Sequence, residues 1–426
     1  MTKTFSLRVR SVALLDQLGP GLVTGAADDD PSGIATYSQA GAQAGYGLLW
    51  TLILTYPLMV AIQLVSARIG RVTGSGLAKN MSAILPGPAV MAIVVLLFAA
   101  NTINLGADLA AMGSVGALAL GGNEHLYTVG FALLSLLLQM FIPYRRYANI
   151  LKWLTLVLFA YVGVLFIVKV DWAAAAQQLI LPQLDWSRSA TTIVAIFGTT
   201  ISPYLFFWQS AQEVEEIDAV ERTKPLIEAP HQAKKALARI KIDTFSGMAI
   251  SNFVALAIML STAATLHASG QTHIQTATDA AKALQPIAGP FAFALFSLGI
   301  VGTGLLAIPV LAGSAAYAVG EAKGWKCGLD NKPWEAVGFY AVIAAACVLG
   351  LVIDYCGFDP MAALFWSAVV NGVIAVPIMI ALMLVASSRR QMGRFAIRGW
   401  LAAFGWISAA VMAAASVVMF VIGSGN

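Results

Sequence analysis

Long apolar stretches, separated by short polar segments, follow one another along almost the whole chain. Most are about 20 residues or longer, the length that an α-helix needs to cross the hydrocarbon core of a bilayer. They are too long and too uniformly apolar for the alternating strands of a membrane β-barrel. The pattern predicts an all-α polytopic membrane protein with eleven spans, at residues 14–43, 47–66, 87–118, 126–142, 152–168, 190–210, 244–265, 287–318, 334–353, 361–386 and 397–423.

Two of these spans, the first and the sixth, carry helix-breaking sequences at their centres. The first contains DDDPSG at 28–33, and the sixth contains GTTISP at 198–203. Proline removes a backbone hydrogen bond and clashes with the preceding turn, and glycine lowers helix propensity. We therefore expect both helices to break within the membrane. Breaks five spans apart indicate two inverted five-helix repeats, at about 14–170 and 188–386, with an extra helix at 397–423.

The charged residues support the prediction of a membrane protein and indicate the orientation of its spans. Charged residues are 11% of the chain and mean hydropathy is +0.80, against about 25% charged residues in soluble proteins, which excludes a soluble globule. The basic residues lie singly or in pairs between spans, so we do not expect nucleic-acid binding. With a cytoplasmic N-terminus, all of them except Lys169, Arg188 and Lys282 fall in cytoplasmic segments, as the positive-inside rule requires.

These features predict one membrane domain over residues 1–426, because no polar linker separates two soluble units. We expect a multi-pass protein of the bacterial inner membrane, with its N-terminus in the cytoplasm and its C-terminus outside. The lipid bilayer is the expected surrounding, and no obligatory protein partner is evident. The prolines at 57, 309 and 377 are expected only to kink their helices.

Three consecutive carboxylates, Asp28, Asp29 and Asp30, stand at the break of the first span. An unpaired charge near the bilayer midplane costs a few kcal/mol, so something must compensate it. A divalent cation does so directly, with freed backbone carbonyls as further hard ligands. We expect Asp30, beside the proline, to be the ligand. Asp28 and Asp29 are expected to cap the second half-helix or to attract cations.

The two broken segments resemble those of the natural resistance-associated macrophage protein (Nramp) family. DPSG at 30–33 stands where the family has Asp-Pro-Gly-Asn, and GTTISPY at 198–204 stands where it has a Met-Pro-His segment. SAAYAVGEAKGW at 314–325 and AVPIMIAL at 375–382 extend the resemblance along the chain. The resemblance implies the leucine-transporter fold and transport of a divalent metal between the broken helices. The metal would be a substrate, and no cofactor is expected.

In typical members the metal is held by an Asp, an Asn, a backbone carbonyl and a Met thioether. The matching positions here are Asp30, Gly33, Thr199 and Ser202. Loss of the thioether favours hard cations such as Mg²⁺ and Mn²⁺, and loss of side-chain volume suits an ion that keeps several waters. The chain is similar to a divergent bacterial branch of Nramp-related magnesium transporters. Ser202 either ligates the ion or bonds its own helix backbone, and both alternatives stay open.

The residues that couple typical members to protons are depleted in this chain. Tyr204 stands at the position of the family's histidine, and Ala111 replaces a carboxylate of the third span. The ninth span, 334–353, contains no arginine. Asp108 remains in the third span, and we expect it to line the cation path or to pair with a neighbouring polar side chain, the candidates being Asn101, Thr102 and Asn104.

Two further polar features leave alternatives open. Asn371, in the tenth span, either supports or hydrates the ion or makes an ordinary interhelical hydrogen bond. The acidic residues between Glu213 and Asp218 either attract cations or form a solvated face, and the solvated face is favoured.

The sequence thus predicts a secondary transporter that imports Mg²⁺, and also Mn²⁺, as a partly hydrated ion by alternating access without obligatory proton coupling. The first alternative is a proton-coupled Mn²⁺ or Fe²⁺ importer. An organic-solute transporter of the same fold is a weaker alternative, because three aspartates would repel a substrate carboxylate. An enzyme is not expected, since the spans contain no Ser/His pairing and no metalloprotease motif.

Overall fold

The computed structural model describes residues 20–142, 154–182, 185–220 and 222–423, and every regular element in these residues is helical. The principal α-helices are α1 (Pro20–Asp28), α2 (Pro31–Ala44), α3 (Leu49–Thr73), α4 (Gly87–Leu120), α5 (Glu124–Phe141), α6 (Phe159–Val164), α7 (Trp186–Thr200), α8 (Pro203–Asp218), α9 (Ala233–Thr265), α10 (Ala292–Lys323), α11 (Val337–Asp354), α12 (Pro360–Ser387) and α13 (Trp400–Gly423). Short α-helices and 3-10 turns lie between them, including Leu77–Ser82, Leu154–Leu158, Trp172–Ile180, Ala277–Ala281 and Arg389–Met392.

Nine helical segments of the described residues are long and apolar enough to cross a membrane, and the predicted all-α membrane architecture is confirmed. The first predicted span is not among the nine; its halves are nine and 14 residues long, and three aspartates lie at its break. The fifth begins outside the described residues and continues as a 3-10 turn followed by α6. Basic residues used for orientation at 1–19 and 143–153 also lie outside the described residues, so the orientation stays a prediction.

Both broken helices interrupt where the sequence predicts. The first span stops at Asp28 and resumes at Pro31, and the sixth stops at Thr200 and resumes at Pro203. Each proline occupies the first position of the second half-helix, where its missing N–H has no helical partner to lose. The other three prolines singled out above lie inside continuous helices, as expected.

Several helices extend beyond the predicted spans on the side assigned to the cytoplasm. α3 runs to Thr73, α8 runs to Asp218 and α9 begins at Ala233. Hydropathy detects only the apolar part of a helix, whereas the backbone hydrogen bonds continue into the polar region. The polar ends of these helices therefore pack against one another rather than forming loose loops.

For this reason the predicted solvated face between Glu213 and Asp218 is wrong for the three glutamates, whereas Asp218 is exposed. Glu213 is fully buried and its carboxylate lies 2.5 Å from the guanidinium of Arg239 on α9. The same guanidinium contacts Glu216 at 3.0 Å, and the hydroxyl of Tyr317 on α10 donates to Glu215. Because α8 and α9 continue past their apolar parts, these charges meet between helices and compensate one another.

Glycines let the broken helices approach their neighbours at backbone distance. A Cβ atom at Gly25 of α1 would lie 2.4 Å from the carbonyl oxygen of Gly247 on α9. A Cβ atom at Gly198 of α7 would lie 2.0 Å from the carbonyl oxygen of Ala368 on α12. Such contacts are typical of helix packing in membranes, where small residues allow close approach. Gly198 thus serves packing, rather than only weakening the helix before its break.

The variant Gly198→Ala should separate α7 from α12 and lower stability by about 1–3 kcal/mol, the usual cost of overpacking. Gly130→Ala on α5 is the matched control, because a Cβ atom there meets nothing within 4 Å. Tryptophan fluorescence of the detergent-solubilised protein during heating measures the difference. Equal unfolding temperatures for the two variants would contradict this contact.

Candidate metal centre

Asp30 lies between the two halves of the first span and is 1% exposed. Its Oδ1 accepts a hydrogen bond from the amide of Gly33 at 2.7 Å, so it caps α2. Its Oδ2 accepts from the side-chain amide of Asn104 on α4 at 3.0 Å and from the hydroxyl of Tyr204 on α8 at 3.3 Å. Charge-assisted hydrogen bonds from three elements therefore hold this carboxylate in one orientation.

The capping role predicted for Asp28 and Asp29 is wrong. Only Asp30 directly precedes Pro31, with the extended backbone (φ −69°, ψ 170°) that an N-cap residue adopts. The other two carboxylates contact α9 instead, where the hydroxyl of Ser251 lies 2.8 Å from Asp28 Oδ2 and 3.1 Å from Asp29 Oδ1. Their alternative role, attraction of cations, stays a prediction.

Three oxygen atoms from the two broken helices lie around the space that a side chain at position 33 would enter. A Cβ atom built there would lie 3.1 Å from Thr199 Oγ1, 3.3 Å from the carbonyl oxygen of Asp28 and 3.4 Å from Asp30 Oδ1. The structure thus brings together the predicted positions Asp30, Gly33 and Thr199. A larger side chain at position 33 would occupy the space between these oxygens.

Ser202 lies at the break of the sixth span and bonds the backbone of its own helix. Its hydroxyl donates to the carbonyl oxygens of Gly198 at 3.0 Å and Thr199 at 2.7 Å. This is one of the two alternatives left open by the sequence. A carbonyl oxygen has two lone pairs, so Thr199 keeps one for a further partner.

Asp108 lies on α4, one turn beyond Asn104, and is fully buried. Its carboxylate faces the backbone amide of Ser32 at the start of α2, and within the described residues it forms no hydrogen bond with another side chain. The predicted pairing with its neighbours is wrong, because Asn104 bonds Asp30, Asn101 bonds α10, and Thr102 bonds its own helix. A cavity-lining role for Asp108 stays a prediction.

Asn371 lies on α12 next to Gly372, which packs against α7 near Gly198. It is 1% exposed, and among the described residues its Oδ1 has no hydrogen-bond partner. One turn earlier, the hydroxyl of Ser367 donates to Asn104 Oδ1 at 2.7 Å. α12 therefore supports the Asp30 carboxylate through Ser367 and Asn104, whereas Asn371 offers a free acceptor beside the sixth span.

Sequence reasoning missed Ser251 and Ser367 and considered Asn104 only as a partner of Asp108. An asparagine in an apolar span does signal a required partner, but the sequence does not say which one. A single serine in such a span gives no comparable signal, since it can bond its own helix.

Two cavities open on the side of the bundle predicted to face outside. Their volumes are about 490 and 630 Å³, and both are lined by Gln275, Asp359 and Met361. The first reaches Ala111, one turn beyond Asp108, and the second reaches Ala35 on α2. Both therefore extend from the outer surface toward the broken helices.

On the opposite side, α1 is tied to its neighbours. The amide of Gly21 donates to Asp243 on α9 at 2.7 Å, and the hydroxyl of Thr24 donates to Gln209 on α8 at 2.7 Å. The first half-helix is thus held against the bundle on the side assigned to the cytoplasm, while the outer side has the cavities.

In the part of the chain that the structure describes, no three His, Cys, Asp or Glu side chains converge as a metal-binding group. A cation between the broken helices would rest on the carboxylate of Asp30 and on neutral oxygens. Such a site suits a hard ion that keeps water ligands rather than an all-protein cage.

Comparison with known sequences agrees with this arrangement. A family model described as natural resistance-associated macrophage protein-like matches residues 21–422. The divalent metal cation transporter MntH of Burkholderia ambifaria is 27% identical over 399 residues, which cover 92% of this chain and 85% of that protein. A protein of the same name from Yersinia pestis is 30% identical over 299 residues, covering 68% of this chain and 69% of the relative.

Solved structures show the same fold at low sequence identity. The Eremococcus coleocola manganese transporter, in complex with an aromatic bis-isothiourea substituted compound, aligns with a TM-score of 0.73 at 18% identity, covering 95% of this chain and 86% of that one. Mhp1, a nucleobase-cation-symport-1 family transporter, aligns with a TM-score of 0.56 at 13% identity, covering 96% and 93%. The predicted leucine-transporter fold is confirmed. With a family model matched over almost its whole length, the chain belongs to the Nramp family.

Proposed function

We propose that this multi-pass membrane protein transports divalent metal cations, with Mg²⁺ as its main substrate and Mn²⁺ also accepted. The observation that carries the proposal is the buried carboxylate of Asp30, which is fixed at the break of the first span and faces the break of the sixth. Relatives named as divalent metal cation transporters support the substrate class. Those names also describe transport rather than an enzymatic reaction.

The preference for Mg²⁺ rests on the donor set and the space around it. The protein atoms near the cation position are Asp30 Oδ1, Thr199 Oγ1 and the carbonyl oxygen of Asp28, all hard donors. Ser202 supplies a hydroxyl that already bonds its own backbone, and position 33 has no side chain. Mg²⁺ usually keeps several waters and binds through one or two carboxylates, which fits this small number of protein ligands.

The surrounding polar groups suit the passage of a hydrated ion. Asp28 and Asp29 share the one hydroxyl proton of Ser251, so at least one carboxylate oxygen is left to attract cations. The carboxylate of Asp108 and the amide oxygen of Asn371 have free lone pairs that can receive hydrogen bonds from the waters of the ion. We assign the side chains of these four residues to the cation path rather than to direct ligation.

Release on the opposite side requires α1 to leave its neighbours. The bonds of Gly21 to Asp243 and of Thr24 to Gln209 would have to break, at a typical net cost of about 2 kcal/mol for the bond to a carboxylate and about 1 kcal/mol for the neutral one. The close packing of Gly25 on Gly247 would have to open as well. Differential binding of the ion to the two states, together with the membrane potential, would supply this cost and shift the equilibrium between outward and inward states.

Obligatory proton coupling is not part of the proposal. Tyr204 contacts Asp30 with a phenol, which keeps its proton at neutral pH and cannot replace an imidazole as a relay. The membrane potential suffices to drive import, since a divalent ion gains about 4.6 kcal/mol per 100 mV. A manganese transporter is among the solved structures that share this fold, and the coupled manganese importer is the alternative that the experiments below distinguish.

The variant Asp30→Asn should abolish Mg²⁺ and Mn²⁺ flux into proteoliposomes. It keeps an oxygen acceptor for the amide of Gly33, so capping of α2 survives while the charge is lost. Asp171→Asn is the matched control, because Asp171 also caps a helix, Trp172–Ile180, far along the chain from the broken segments. Near-normal flux through Asp30→Asn would remove this residue from the site.

The wild-type protein should carry Mg²⁺ at millimolar concentrations and also Mn²⁺, with weak affinity for both, because retained water leaves little energy to distinguish two hard ions. The double variant Gly33→Asn with Ser202→Met should shift the preference toward Cd²⁺, since the thioether is a soft ligand. Competition between these ions during flux measures the shift. If the wild type carries micromolar Cd²⁺ while millimolar Mg²⁺ neither permeates nor competes, the hard-site proposal is wrong.

Metal entry should not acidify the liposome interior. A trapped pH-sensitive dye, read while the metal enters under an imposed membrane potential, provides the measurement. The expected trace is flat, with influx that rises as the potential becomes more negative inside. Acidification at a rate comparable to metal entry would show that the remaining carboxylates couple protons, and would favour the alternative importer.

A further inference from the structure

An apolar groove lies on the outside of the bundle, away from the broken helices. Its volume is about 400 Å³, and it lies between α4, α10 and α11. Eleven of its twelve lining residues are uncharged and almost entirely apolar. The lining comprises Met91, Val94, Val95, Phe98, Val319, Ala322, Lys323, Trp325, Gly338, Ala341, Val342 and Ala345.

The groove has the dimensions of part of one lipid leaflet. Its lining on α11 extends from Gly338 to Ala345, which is about 10 Å at 1.5 Å per residue. One leaflet contributes about 15 Å of hydrocarbon, half of the bilayer core. Met91 and Val95 at the rim are 39% and 56% exposed, so the groove opens toward the surrounding lipid.

One end of the groove carries an uncompensated positive charge. Lys323, the last residue of α10, is exposed and forms no ion pair with any described residue. Its neighbour Lys326 is already paired with Glu335 at 3.1 Å. The charge of Lys323 is therefore available to a ligand that the protein itself does not supply.

An aromatic ring is fixed beside this charge. Trp325 is 46% exposed, and a Cβ atom at Gly338 would lie 2.6 Å from its ring, so only glycine lets the indole rest against α11. Tryptophan favours the interface between hydrocarbon and headgroups. The groove thus offers an apolar surface for an acyl chain, an aromatic ring at the interface and a cation for a phosphate.

We propose that this groove binds one anionic phospholipid, with an acyl chain between α4 and α11 and the phosphate at Lys323. The predicted orientation puts Lys323 on the cytoplasmic side, where a leaflet that contains anionic lipid meets basic residues. Charge complementarity selects this occupant over a neutral lipid or a second copy of the chain. One lysine at such a surface contributes an anionic preference of about fivefold.

Quenching of Trp325 by brominated lipid tests the proposal. The full-length protein is reconstituted in phosphatidylcholine containing the same small fraction of either brominated phosphatidylglycerol or brominated phosphatidylcholine. Subtracting the emission of Trp325→Phe isolates this tryptophan from the other nine. Bromine on the acyl chain quenches only a ring that it contacts, so a fall in Trp325 emission measures occupation of the groove by the brominated lipid.

The expected result is quenching of Trp325 about fivefold stronger, as an apparent affinity, by the anionic lipid. Lys323→Gln should make the two lipids equal, whereas Lys234→Gln, an exposed lysine at the start of α9 outside the groove, should change nothing. Equal quenching by both lipids in the wild type would overturn the proposal in favour of a neutral occupant. Absence of quenching by either lipid would overturn it in favour of a protein partner or an empty groove.

Metal flux measured in the same liposomes separates this proposal from the proposed function. Because Lys323 lies outside the metal centre and the cation path, loss of lipid selectivity does not depend on metal transport. Protein that transports Mg²⁺ but shows no lipid preference refutes only the lipid site. Protein that shows the preference without flux refutes only the transport proposal.

Discussion

A buried carboxylate at the break of a membrane helix is the constraint on which this structure depends. An isolated charge at that depth costs a few kcal/mol, and the fold meets the cost with directed hydrogen bonds. Gly33, Asn104 and Tyr204 donate to Asp30 from α2, α4 and α8. The same bonds that make the charge tolerable also fix the positions of these elements, so the anion is oriented before any cation arrives.

The broken helices are held by two kinds of contact, close glycine packing and side-chain hydrogen bonds. Glycine contacts press α1 onto α9 and α7 onto α12 at backbone distance, whereas the start of α1 is tied by two hydrogen bonds to side chains, those of Asp243 and Gln209. Outer cavities approach the site from the other side. The cavities on one side and the hydrogen-bonded start of α1 on the other give a physical basis for alternating access. If the bonds at the start of α1 break, this half-helix can move while the bonds to Asp30 keep the carboxylate in place.

Apolar length and proline position were enough to predict the helical membrane architecture and both breaks, because these depend on local chemistry. The contacts of individual polar residues depend on which spans become neighbours, and one sequence does not contain that information. Capping of α2 was one of the two roles expected for Asp28 and Asp29, yet they contact Ser251, more than two hundred residues away. Glu213 was expected in solvent, yet it pairs with Arg239 because α8 and α9 extend beyond their apolar parts.

The central claim is that one carboxylate binds a divalent ion that keeps most of its water. Electron–nuclear double resonance of Mn²⁺ bound to the purified protein in ¹⁷O-labelled water counts the waters on the ion directly. The account predicts several bound waters, roughly half or more of the six positions of an octahedral ion, and loss of the bound signal in Asp30→Asn. A manganese ion with one water or none, or one that survives this substitution, would contradict the account.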